Sequence, residues 1–234
     1  DLSWGVLAIN PDKAVYRPNE TAFVSMAALD ENGRMVCDAS MDLEIWGPND
    51  YYFSAHTWRT DALTVNWKVC RIKGFVDEPD FYANIPLSGV GEYNVRLTAR
   101  TKNGEKYVTD KWLVEENPPF VVQRAGPTRT FPYATYTMHM RITPREDFRG
   151  KVRESVTAEF NIEGVNPVAN IEHSITKDFS RPHYATWDVD WKAGETYTLL
   201  YNFDPSDISP EYFSIGPLEF ATGEEIVNFS AKDS

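Results

Sequence analysis

Residues 91 to 114 read GEYNVRLTARTKNGEKYVTDKWLV, and their apolar side chains return at every second position. Tyr93, Val95, Leu97 and Ala99 stand on one side of this repeat, and Asn94, Arg96, Thr98 and Arg100 on the other. A period of two is the pleat of a strand with one face buried, whereas an amphipathic helix repeats about every 3.6 residues. Lys102-Asn103-Gly104 supplies turn chemistry, and the chain resumes with Val108, Trp112 and Val114, so the stretch predicts a hairpin. The Gly-x-Tyr at its entry fits a tyrosine corner, in which the phenol bonds back to a nearby backbone group; a plainly packed Tyr93 is the alternative.

The same alternation recurs about every ten residues between Gly, Pro, Asn and Asp, and helical periodicity is nearly absent, so the expected class is all-β. TAFVSMAAL, residues 21–29, is apolar on both faces and reads as a central, well-covered strand. Met41, Leu43 and Ile45 alternate with Asp42, Glu44 and Trp46 until Gly47-Pro48 ends the run. In the second half, strands are expected in ATYTMHMRIT, in KVRESVTAEFNI, in ATWDVDW with its Trp187, Val189 and Trp191 face, and in GETYTLLYNF. EENPPF, residues 115–120, is polar and then doubly proline after a completed hairpin. It sets the expected boundary between two antiparallel β-sandwich domains, 1–117 and 118–234, and Pro118-Pro119 stiffens the connection.

The chain carries a net charge of −12, shared evenly by its halves. Nucleic acids and anionic membranes bind through clustered Lys and Arg, so neither is an expected partner. The nearest basic cluster, Arg141, Arg145, Arg149, Lys151 and Arg153, is interleaved with Glu146, Asp147 and Glu154. No apolar run is long enough to cross a membrane as a helix, and the opening DLSWGVLAIN fits a mature or excised fragment. Two cysteines and four histidines show no zinc-ligand spacing. Cys37 and Cys70 are candidates for a disulfide across the first domain, with two buried thiols as the alternative.

INPDKAVYRPNETAFVSMAALDENGRMV, LEIWGPND and GVGEYNVRLTARTKNG together resemble the macroglobulin-type Ig-like domain. That family opens on Lys-x-x-Tyr-x-Pro-Gly-Glu-Thr, matched here by Lys13, Tyr16, Pro18, Glu20 and Thr21, with Asn19 in place of the glycine. VQRAGPTRTFPYATYTMHMRIT and AGETYTLLYNFDPSDISPEYFSIGPLEF resemble a second Ig-like module of large secreted or surface proteins of candidate-phylum bacteria. The resemblance implies tandem Ig-like sandwiches used as a spacer or adhesion unit at the cell surface. Macroglobulins that trap proteases carry a thioester in Cys-Gly-Glu-Gln. Cys37 is followed by Asp-Ala and Cys70 by Arg-Ile, so that chemistry is not implied.

No G-x-S-x-G elbow, H-E-x-x-H, P-loop or Rossmann glycine pattern occurs, and no catalytic residue or cofactor is expected. Asp188 and Asp190 share one strand face and are the residues a glycoside hydrolase reading would use; a solvated face is the plainer reading. Asp77, Glu78 and Asp80, then Asp30, Glu31 and Asn32, and lastly Asp204 and Asp207 offer oxygen-rich loops for a structural calcium, none with EF-hand spacing. Lys111 beside Asp110 is a poor candidate for covalent self-linking, because adjacent strand residues point to opposite faces. NDYYFSAHTW, residues 49–58, holds more aromatics than one strand face needs. Tyr51, Tyr52 and Trp58 are therefore the candidate ligand strip for a glycan or a partner protein, with core packing of alternate members as the rival. Asn19 and Asn228 fit the glycosylation acceptor pattern. The expected function is a noncatalytic extracellular structural and interaction module, with a carbohydrate-binding accessory domain as the alternative.

Overall fold

The computed structural model describes residues 5–59, 62–70, 72, 78–127, 134–173, 182–205 and 215–222. Regular structure among them is entirely β, and contacts divide the chain into two compact units that part between Glu116 and Asn117.

In unit 1, β1 (Leu7–Pro11), β3 (Thr21–Ala28), β7 (Phe81–Pro86) and β6 (Leu63–Val65) form a sheet in the order β1-β3-β7-β6. The facing sheet runs β2 (Val15–Tyr16), β9 (Gly104–Val114), β8 (Gly91–Thr101), β4 (Ser40–Trp46) and β5 (Tyr52–His56). With β2 and β5 set aside, the first, second, fifth and fourth strands share one sheet and the seventh, sixth and third the other, which is the immunoglobulin order. Among the described residues only β2 and β9 pair in parallel; every other named pair of strands is antiparallel.

One buried cluster joins the inward rows of both sheets: Ala22, Val24 and Met26 from β3, Met41, Leu43 and Ile45 from β4, and Tyr93, Val95, Leu97 and Ala99 from β8. Each such large side chain contributes roughly 1.5–3 kcal/mol on burial. The opposite row of β3 departs from the expected double cover: Phe23 lies 36% exposed with the Tyr82 ring tilted beside it at 5.7 Å, because among the described residues no further layer packs outside this sheet in the unit. The β8–β9 hairpin closes on Thr101 opposite Gly104, with Lys102-Asn103 as a two-residue tip.

Tyr93 is a tyrosine corner. Its ring is fully buried near the start of β8, and its hydroxyl accepts from the N–H groups of Ser88 (3.3 Å) and Gly89 (3.0 Å) and donates to the Gly89 carbonyl (3.1 Å). The ring stacks on Trp112 (6.4 Å), Trp112 meets Tyr16 edge-on (6.0 Å), and Tyr51 meets Tyr93 edge-on (5.1 Å). Gly47 admits this packing, since a Cβ there would lie 2.6 Å from the Tyr93 ring. At the other end of the aromatic row the residues of the opening motif bond to one another. The Tyr16 hydroxyl donates to Asp12 Oδ1 (2.8 Å) and accepts from the Lys13 N–H (3.1 Å), while Lys13 Nζ pairs with Glu20 Oε2 (2.8 Å). Burial first, and then the Asp12 charge, holds the Tyr16 phenol far above its ordinary pKa. Asn19 sits at φ 65°, in the left-handed region that Asn tolerates better than most side chains, so the motif's glycine position keeps its conformation.

Unit 2 pairs β10 (Phe120–Ala125), β11 (Tyr136–Pro144), β16 (Tyr197–Asp204) and β13 (Asn161–Asn166) in the order β10-β11-β16-β13. Its second sheet runs β14 (Asn170–Glu172), β15 (His183–Trp191), β12 (Phe148–Val156) and β17 (Leu218–Ala221). In this unit β16, the central partner of β11, follows β15 in the chain, whereas in unit 1 the corresponding β7 precedes β8. The run expected across KVRESVTAEFNI is two strands, broken where the Phe160 N–H bonds to the Thr157 carbonyl (3.1 Å). Met140 and Ile142 from β11, Val152 from β12, Trp187 from β15 and Tyr201 and Phe203 from β16 share one core, with the Trp187 indole N–H donating to the Pro167 carbonyl (2.9 Å).

A charged pair crosses between these two sheets. Arg124 of β10 donates from Nη1 to Glu154 Oε1 (2.5 Å) and from Nη2 to Oε2 (2.9 Å), and the Glu154 side chain is wholly buried. The Tyr201 hydroxyl stands 3.5 Å from Glu154 Oε1; burial first, then the Glu154 charge, raises its pKa well above the ordinary phenol value. Removing one member of a buried pair strands the other's charge, whereas replacing both with apolar groups does not.

Two stability outcomes follow for urea unfolding of the purified chain. Tyr93→Phe lowers the unfolding free energy by about 1–3 kcal/mol, because the Ser88 and Gly89 amides lose a buried acceptor. Arg124→Ala and Glu154→Ala each cost about 3–5 kcal/mol, and the double replacement Arg124→Met with Glu154→Leu costs less than either. A double variant as damaged as the singles would show that shape, and not charge pairing, sets the cost.

Candidate functional site

The aromatic strip of residues 49–58 divides in three. Tyr51 turns to the corner, where its hydroxyl donates to the Pro86 carbonyl (2.6 Å), and burial with the neighbouring Tyr93 pushes its pKa up to about 12. Tyr52 lies 55% exposed on the outer face of β5 beside Trp46, with ring centroids 6.0 Å apart and its hydroxyl donating to Glu44 Oε1 (3.1 Å). Trp58 follows the far end of β5 and pairs with a residue the sequence reading passed over, Trp67. The two indoles are 59% and 45% exposed, with centroids 5.8 Å apart and planes tilted by 37°.

Local bonding fixes both rings. Buried Thr57 clamps its turn to the start of β4: its N–H donates to the Met41 carbonyl (3.0 Å), and its hydroxyl accepts from the Met41 N–H (2.9 Å). Trp58, the next residue, takes φ 68°, a region costly for a bulky side chain. Asn66 anchors the second turn, its N–H on the Asp80 carbonyl (2.8 Å) and its Nδ2 on Glu78 Oε2 (2.9 Å). The Asn66 carbonyl accepts from Val69 (3.2 Å) and Cys70 (2.9 Å), closing a single helical turn around Trp67. Cys70 is joined to Cys37 in a disulfide with Cα atoms 5.7 Å apart. The same turn lines a cavity of about 310 Å³ with Asn66 and Lys68, completed by Phe23, Glu78, Pro79 and Tyr82. Trp67 carried one usable signal in the sequence, its place between Asn66 and Lys68 just ahead of Cys70; its exposure followed only from the turn geometry.

His56, also within the strip, lies beside Asp42, with Nδ1 2.5 Å from Oδ1, and Asp42 pairs in addition with Arg100, which reaches Glu105 Oε2 from Nε (2.6 Å). Burial alone would raise the Asp42 pKa, but the hydrogen bonds from His56 and Arg100 outweigh it and hold the carboxyl below its usual range. Asp188 is exposed and pairs with Lys151 (3.2 Å), and Asp190 is exposed opposite Arg149, so both carboxylates face cross-strand cations. Lys111 is exposed and pairs with Glu92 (3.2 Å).

Of the calcium candidates, Asp80 is buried and Asp204 ends β16, while Asp77 and Asp207 lie outside the described residues. Asp30 Oδ1 accepts the N–H groups of Asn32 and Arg34, both at 2.9 Å, as ordinary turn chemistry. Among the described residues no three His, Cys, Asp or Glu side chains gather as metal ligands. Asn19 is exposed; Asn228 lies outside the described residues. Among the described residues no helix is long and apolar enough to cross a membrane.

No protein-family model matches the chain, and no curated protein matches its sequence. Solved structures with a similar fold include a DUF4785 family protein from Legionella pneumophila (TM-score 0.32, 12% identity, covering 93% of this chain and 52% of that one). An alpha-2-macroglobulin from Salmonella is also similar (TM-score 0.33, 11% identity, 92% of this chain and 16% of that one). So is a chitinase from Bacillus thuringiensis (TM-score 0.27, 14% identity, 88% of this chain and 28% of that one). The chain spans about half the length of the first and a smaller part of the others. Similarity at this level does not carry the function of any of them across.

The disulfide generates a measurable outcome. It closes a loop of 33 residues, for which chain entropy gives a stabilisation of about 4 kcal/mol at most. Reduction, or Cys37→Ser with Cys70→Ser, lowers the unfolding free energy by about 2–4 kcal/mol in urea titrations with and without reductant. Coincident titrations would mean that the turn carrying Trp67 holds without the bond.

Proposed function

We propose that the chain is a noncatalytic structural and interaction module, a spacer or adhesin segment of a larger extracellular surface protein. What carries this reading is the destination of its buried polar chemistry. The Tyr16 and Tyr93 hydroxyls and the Arg124–Glu154 pair bond within the fold, tying corners and sheets together. Reactive groups in active sites instead keep donors and acceptors directed at a substrate. The Cys37–Cys70 bond supports an oxidising compartment, where such bonds persist. The net charge of −12 favours partners other than nucleic acid and anionic membranes, namely a protein or a glycan at the cell surface. Two sandwich units, each closed around its own core, suit a part whose task is to present a surface in a defined geometry.

The test has two arms. Antibodies to the chain label intact, unpermeabilised cells of the source organism, and the protein recovered from them resists alkylation at Cys37 and Cys70 until it is reduced. The purified chain turns over a panel of chromogenic glycosides, esters and peptides no faster than buffer. Glycosidase turnover abolished by Asp188→Asn with Asp190→Asn would overturn the noncatalytic reading, and label confined to permeabilised cells would overturn the extracellular one.

A further inference from the structure

We propose that Trp58 and Trp67 form a stacking platform for the pyranose rings of a neutral glycan, with the exposed Lys68 and Glu78 supplying hydrogen bonds from the neighbouring cavity. The inference deepens the interaction-module reading and rests on it. Four observations on unit 1 converge on these residues.

The first is exposure. Two indoles from separate turns stand next to each other, 59% and 45% exposed, and leaving that much apolar surface in water carries an unfavourable hydration cost. The second is rigidity. The turn holding Trp67 is fixed by the Cys37–Cys70 bond and by four hydrogen bonds centred on Asn66, and the turn holding Trp58 by Thr57. A platform ordered before its ligand arrives avoids the entropy of ordering on binding. The third is strain: Trp58 keeps φ 68°, a conformation retained where the surrounding structure overdetermines it and common at ligand sites.

The fourth is the mixture of chemistry on one turn. Its cavity of about 310 Å³ lies at the small end of the ligand-site range, about 300–1,000 Å³, and joins aromatic Phe23 and Tyr82 to polar Asn66, Lys68 and Glu78. A pyranose ring presents the same mixture, C–H groups on its faces and hydroxyls around its edge.

Area and charge decide between occupants. Two indoles of about 150–250 Å² each, 59% and 45% exposed, offer roughly 200 Å² of apolar contact. A stable protein interface buries about 1,200–2,000 Å², so this platform alone is too small for one. The net charge of −12 disfavours sulfated or carboxylated polysaccharides, which leaves neutral ones.

The experiment titrates the full chain with cellohexaose, xylohexaose, mannohexaose, maltohexaose and chitohexaose, with heparin as the anionic comparison, and reads tryptophan emission and heat. At least one neutral hexasaccharide gives a saturable blue shift. Trp58→Ala and Trp67→Ala each weaken its binding by about tenfold, the loss of one stacked ring. Trp58→Phe retains most of the affinity, and Trp46→Ala, which removes the exposed ring paired with Tyr52, leaves it unchanged. Melting temperatures of the variants near that of the parent separate lost stacking from lost folding, and Trp67→Ala serves where Trp58→Ala fails to fold.

Absence of saturable binding by every neutral hexasaccharide at millimolar concentration overturns the proposal, as does binding indifferent to both alanine substitutions, or binding of heparin alone. Binding accompanied by cleavage would leave the platform standing and remove the noncatalytic reading. No binding removes the platform and leaves the module to its own test.

Discussion

Unit 1 depends on a row of aromatic rings at one end of its sandwich, Tyr16, Trp112, Tyr93 and Tyr51, each touching the next. The rings come from β2, β9, β8 and the turn before β5, so the row ties together four parts of the sheet that the chain visits at distant points. Hydroxyl groups fix three of the four rings: Tyr16 on Asp12 and Lys13, Tyr93 on Ser88 and Gly89, Tyr51 on Pro86. A hydrophobic contact tolerates sliding, whereas a phenol held by two or three directional bonds does not. The combination gives this end of the unit both burial energy and a fixed register.

Unit 2 meets the same demand by other means. Its sheets are connected in a different order, and the polar link between them is the Arg124–Glu154 pair with Tyr201 beside it. A buried ion pair contributes little net stability, since desolvation offsets most of the attraction. It does penalise misregister: a slip of β10 by one residue would turn Arg124 outward and leave Glu154 charged and unpaired in an apolar core. The pair therefore specifies which residues face each other more than how strongly they are held.

Much of this was legible in the sequence, for a physical reason. Alternation reports which side of a strand faces the core, so the buried rows of β4, β8, β11 and β15 follow directly from Met41, Tyr93, Met138 and Trp187 and their neighbours at every second position. Alternation does not report what lies beyond the other face, and that is why Phe23 was expected to be covered and is not. Nor does it report partners: the parallel β2–β9 pair and the late position of β16 depend on which edges remain open once other strands have paired. Short turns interrupt a pattern without erasing it, so Thr157 to Phe160 passed for strand. Of the candidate ligand strip, the aromatic excess was visible, whereas the bond of Tyr51 to Pro86 was not, and Trp67 reaches Trp58 through a turn tied to Cys37, 33 residues earlier than Cys70.

The position of the disulfide is informative when the two ends of unit 1 are compared. The end carrying the aromatic row has directional bonds and deep burial, and a covalent link there would add little order. The bond instead reaches the Trp67 turn, which lies beyond the short β6 and leaves Trp67 45% exposed. Loop-closure entropy acts on the unfolded chain wherever the bond is placed, so global stability alone does not explain this location. Local order does: a half-exposed indole on a free turn would sample many orientations, and the tether together with Asn66 keeps it within stacking distance of Trp58. The disulfide and the Asn66 bonds thus act together on a turn that carries one of two adjacent, half-exposed indoles, and they order that pair without help from a deep core.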